Sequence, residues 1–104
     1  MEITAEDRKM MNDIVDFHIK NIPEYVLFSK HENIRKCMGI TNSYDFVIGM
    51  HYAMVLDGIT SYLTEKMKWF GTPTSQQFEE IMMVVSEVIL ERLGDIKRSI
   101  NQTM

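Results

Sequence analysis

Apolar residues recur at helical spacing through most of the chain and nowhere alternate with period two over a useful length, so the pattern predicts helices and no strands. Thr4-Ala5-Glu6-Asp7 supplies an N-cap and first-turn acids, and Met11, Ile14, Val15, His18 and Ile22 follow on one side. This predicts a first helix from about Ala5 to Lys20. Pro23 ends it, because its ring disfavours α geometry at the preceding residue. Pro23 also suits the first turn of a second helix, where its missing N–H has no partner to lose. That helix runs through Tyr25, Val26, Phe28 and Ile34 to about Met38, with Gly39 just beyond its end. Its periodicity is the weakest of the four, and His31-Glu32-Asn33 is a point where it can divide into two pieces.

Thr41 or Ser43 caps a third helix extending to about Trp69. Gly49 and Gly58 lie inside it, and each weakens a helix interior by about 1 kcal/mol relative to alanine, so both need a reason. Gly49 and Ala53 share one face, as do Met54 and Gly58, and small residues at that spacing admit a close helical neighbour. The fourth helix starts either at Thr72-Pro73 or at Thr74, where Gln77 would complete a capping box. Phe78, Ile81, Met82, Val85, Val88, Ile89, Leu93, Ile96 and Ile100 give it the clearest helical period in the chain. The connection through Phe70 to Thr74 is short enough to force an antiparallel hairpin. The expected fold is therefore all-α: a long hairpin of the third and fourth helices, each roughly 40 Å, with two shorter N-terminal helices of roughly 24 Å packed on it. Any part of the hairpin they leave bare is expected to be covered by a second copy.

With 104 residues, 45% of them hydrophobic, and only 2 prolines, the chain fits one helical domain spanning residues 1–104 with a real core. Fifteen acids against eleven bases give a net charge of −4 without a basic stripe, which disfavours nucleic acid as a partner. Cys37 has no partner for a disulfide, and the start MEITAEDRKMM is polar and acidic, so a cytoplasmic protein is expected. The apolar run from Phe46 to Leu63 is interrupted by His51 and Asp57 and reads as a core helix rather than a membrane span.

The candidate chemistry is thin. His18, His31 and His51 fall on different helices with no metal-ligand spacing, and no phosphate loop, dinucleotide fingerprint or nucleophile elbow is present. No cofactor, metal or catalytic residue is expected, and an enzyme using His51 and Asp57 is the weakest reading, since six residues separate them onto different faces. Glu87, Glu91 and Asp95 read as a solvated face. Trp69-Phe70-Gly71 is similar, over those three residues alone, to the motif of WXG-type helical-hairpin proteins. It lies in the C-terminal third rather than the centre, and reads instead as aromatic residues closing the end of the bundle. The function expected is protein–protein contact, with a homodimer formed along the hairpin through Met50, Tyr52, Met54, Gly58 and Tyr62 and with Met83 at the edge. The alternative is a regulatory module that binds an anionic ligand or nucleic acid through Lys30, Arg35 and Lys36. Ten methionines stand out in so short a chain, and most are expected in the core, with Met10 and Met83 the exposed ones.

Overall fold

The computed structural model describes residues 1–69 and 71–104; Phe70, one of the aromatic residues expected to close the bundle, lies outside them. Among the described residues the chain forms helices only: α1 (Ala5–Lys20), α2 (Ile22–Lys30), α3 (Glu32–Met38), α4 (Ser43–Lys66) and α5 (Ser75–Thr103). The expected all-α bundle on a long hairpin is what the chain builds.

The helix ends follow local chemistry. Thr4 caps α1 in a full capping box with Asp7, and Thr74 caps α5 in another with Gln77, which decides between the two starts considered for that helix. Pro23 occupies the first turn of α2. The expected second helix is divided: the Ser29 hydroxyl donates to the Val26 carbonyl at 2.7 Å, a back-bond that perturbs the helix. His31 then takes an extended conformation, so α3 starts afresh without a side-chain cap. Gly39, at φ 65°, ends α3 in the left-handed region that costs glycine little. The cap of α4 is Asn42, rather than either neighbour, because its Oδ1 accepts from the Asp45 N–H at 3.0 Å. α4 stops at Lys66, short of Trp69, where Lys68 turns left-handed and the Trp69 N–H reaches back to the Thr64 carbonyl at 3.1 Å.

α4 is the centre of the bundle and packs against α1, α2 and α5, while α3 packs on α2 and reaches α4 through side chains. Its buried residues, Ser43, Val47, His51, Val55, Ile59 and Leu63, recur every fourth position. Each step of four advances about 40° around a helix of 3.6 residues per turn, so the buried stripe winds along α4 and meets different neighbours at its two ends. α5 keeps to one side with Ile81, Val85, Val88, Ile89, Ile96 and Ile100. The longest dimension, 42 Å, is the length of α5 at 1.5 Å per residue. Met11 and Val15 of α1 and Ile22 and Val26 of α2 complete the core. α4 is also long and apolar enough to cross a membrane by length and composition, a test that a core helix passes equally. Yet only 28% of its most apolar 18-residue window is buried within the chain.

Candidate functional site

The uncovered part of α4 forms the floor of an apolar face. Gly49 and Ala53 are exposed, and a Cβ placed on Gly49 would meet nothing within 4 Å. Around the helix, Tyr52 and Leu56 flank this floor on one side and Phe46 and Met50 on the other. The Tyr52 hydroxyl is 3.0 Å from Ser86 Oγ on α5, which sets the register of the antiparallel pair. Met82 and Leu90 lie one turn to either side of Ser86, so they extend the same row, and Leu90 is 68% exposed. Met83, 64% exposed, stands on the outer surface beside them. On the opposite flank the Phe46 ring stacks on Phe28 of α2 with centroids 6.2 Å apart. Met50 there joins Leu27, Phe28 and Ile34 around a groove of about 550 Å³. The face thus runs from α5 across α4 to α2 and α3.

Of the residues singled out for partner contact, Met50, Tyr52 and Met54 fall on or beside this face and Met83 at its α5 edge. Gly58 and Tyr62 turn toward the same chain. A Cβ on Gly58 would stand 3.0 Å from Ile14 Cγ2, so this glycine is what lets α1 approach α4. The Tyr62 hydroxyl donates to Asp7 Oδ1 at 2.8 Å. Asp7, 1% exposed, also accepts from the Thr4 N–H and from Lys66 Nζ, so one carboxylate ties the start of α1 to the last turns of α4. The Lys66 ammonium and the donated hydrogen bonds hold its pKa far below the usual carboxylate range, while the same carboxylate pushes the Tyr62 phenol up.

The expectation of a methionine-filled core is corrected. Met11 alone among the ten methionines is buried, Met50 and Met67 are half-buried, and the other seven are exposed. Valine and isoleucine fill the interior instead, and burying them costs less rotamer freedom than burying methionine.

The polar candidates are distributed as follows. In the basic cluster, Arg35 Nη1 donates to Ser43 Oγ at 3.4 Å and Lys36 pairs with Glu32 at 3.0 Å, so two of its three cations already have partners. Glu87 pairs with Arg8 at 3.9 Å, and Asp95 takes both Arg92 and Arg98. Arg92 also reaches Asp16 and Asn12 of α1, an interlock no local pattern indicated; the arginine lowers the Asp95 pKa, and Asp16 above all raises that of Arg92. His51 is buried and Asp57 exposed, which separates that pair; His51 instead faces His18 of α1. Burial pushes the His51 imidazole down to about 4 and lowers that of His18. Among the described residues no three His, Cys, Asp or Glu side chains are grouped to hold a metal ion. Trp69 packs half-buried against the core at the end of the hairpin. No protein-family model, curated protein or solved structure matches the chain. It is defined by its architecture: among the described residues, an all-α bundle with an open, methionine-edged helical face.

Proposed function

We propose that this chain is a cytoplasmic, non-catalytic protein that acts through helix-to-helix contact, first of all with a second copy of itself across the open face of α4 and α5. The observation that carries the reading is the external placement of the methionines together with Leu90, beside a floor of Gly49 and Ala53. Small residues allow a foreign helix to approach the α4 backbone, and unbranched thioethers adapt to its shape. An exposed apolar strip of this kind is ordinarily an interaction site. Exposed Cys37, which has no disulfide partner, suits a reducing compartment.

Size-exclusion chromatography with light scattering at micromolar concentration should give twice the chain mass. Ala53→Arg and Leu90→Arg should each return the monomer with an unchanged helical circular dichroism spectrum. A monodisperse wild-type monomer under these conditions sinks the reading. Gly58→Leu is unsuitable for this test, because it strikes the α1–α4 contact first.

A further inference from the structure

We propose that His18 and His51 form an acid-sensitive latch, which holds α1 and α2 on the α4–α5 hairpin at neutral pH and releases them as the pH falls toward about 5. The latch is a feature of the interior and is independent of whether the chain associates. The rings stand edge to face with centroids 6.5 Å apart, one contributed by α1 and the other by α4. His51 is 1% exposed, and its Nε2 is buried without a hydrogen-bond partner among the described residues. His18 Nδ1 is 3.0 Å from the buried Tyr25 hydroxyl, which brings α2 into the same cluster. Three helices therefore converge on two imidazoles.

The surroundings accommodate the neutral rings and oppose the charged ones. Neither imidazole has a carboxylate within ion-pair distance among the described residues. From α5, Arg92 acts on His51 as a like charge, even though Asp16 of α1 and Asp95 bind its guanidinium. From α4, exposed Asp57 favours protonation of His18 from outside, and the Val15 carbonyl of α1 favours that of His51. From α2 the neutral Tyr25 hydroxyl meets His18. Desolvation outweighs these favourable contacts, and protonating one ring further disfavours the other. The sign follows. Both imidazoles bind protons more weakly when enclosed than when free, so enclosure is fully stable above the free value of 6.5 and weakens as pH falls toward 4. With an enclosed value of about 4, His51 alone enlarges the opening equilibrium roughly 30-fold between pH 7.5 and pH 5.

Amide hydrogen exchange on the full chain tests the latch. After correction for intrinsic exchange, protection in α1 and α2 should fall by more than roughly 30-fold from pH 7.5 to pH 5, with His18 adding to the His51 share. The middle of α5 should remain the better protected at both values. In His51→Gln the pH dependence should shrink to the smaller contribution of His18. Should that variant fail to fold, NMR titration of the wild-type imidazoles supplies the second readout: His51 in the closed form should stay neutral at pH 5.5. Protection that does not change with pH overturns the proposal. So does a His51 ring that protonates near 6.5 in the closed form, or equal protection across all helices, which would mean global unfolding rather than release.

Discussion

The two sides of α4 differ in what holds them. Toward α1 the contact is keyed by polar groups at fixed positions: Asp7 on Tyr62 and Lys66, His18 against His51, and Gly58 beneath Ile14, with Arg92 of α5 closing on Asp16. Toward solvent and the exposed row of α5 the surface between exposed Asp45 and Asp57 is apolar, with the Tyr52–Ser86 hydrogen bond as its polar marker. Polar keys are unforgiving where a partner is buried, as Asp7 and His51 are, because removing its counterpart leaves it buried and unpaired. An apolar face tolerates shifts of a few ångströms and different neighbours. Among the described residues the chain thus has a polar-keyed seam that specifies its own fold and an apolar surface without such keys.

Substitutions should separate the two. Asp7→Ala is expected to have the largest effect, a loss of about 3 kcal/mol in urea unfolding followed by circular dichroism, since it removes the carboxylate half of the α1 capping box and the buried acceptor of Tyr62 and Lys66. Because its folded-state pKa is depressed, the Asp7 contribution is complete above its free value of 3.8 and lost as pH falls below it. The Asp7→Ala loss should therefore be complete at pH 7 and shrink in urea unfolding measured below pH 4, where the wild-type carboxylate is protonated as well. Gly58→Leu should follow with about 1–3 kcal/mol of destabilisation from overpacking against Ile14, read as a lower urea midpoint. Tyr52→Phe should lose about 1 kcal/mol with its hydrogen bond to Ser86. Gly49→Ala, on the open side, should raise stability by about 0.5–1 kcal/mol, the opposite sign to Gly58→Leu in the same helix. Leu90→Arg should leave monomer stability within about 0.5 kcal/mol. A large loss there would mean that Leu90 belongs to the core and that the two sides of α4 are not distinct.

The fold was largely legible in the sequence because helix periodicity and capping are local. The Phe78-to-Ile100 pattern and the Thr4 and Thr74 boxes fix α5 and the two starts within a few residues. The division at His31 was legible only as a possibility, since neither glycine nor proline marks it and the extended backbone of His31 has no local signature. The winding stripe of α4 hid its buried positions: a helix apolar almost all round does not declare which side faces inward, and for the same reason the methionines were misplaced. Asp7 with Lys66 and Arg92 with Asp16 join residues far apart in the chain, and no spacing rule connects them. Within the candidate site, Tyr52 and Met50 could be chosen from helical spacing, whereas Gly58 and Tyr62 have the same local signature and an opposite destination.

The four-residue step of the α4 stripe also constrains the geometry of whatever lies on its back. A left-handed coiled coil needs a seam repeating every 3.5 residues, and a row advancing by four turns away from such a seam within a few turns. The exposed row through Gly49 and Ala53 shares that step. Ridges of this kind interlock at crossing angles of about −50° rather than running alongside one another. A helix seated on Gly49 and Ala53 therefore crosses α4 like a saddle, touching it over about two turns, and the bulk of the area buried must come from the shoulders on α5 and α2.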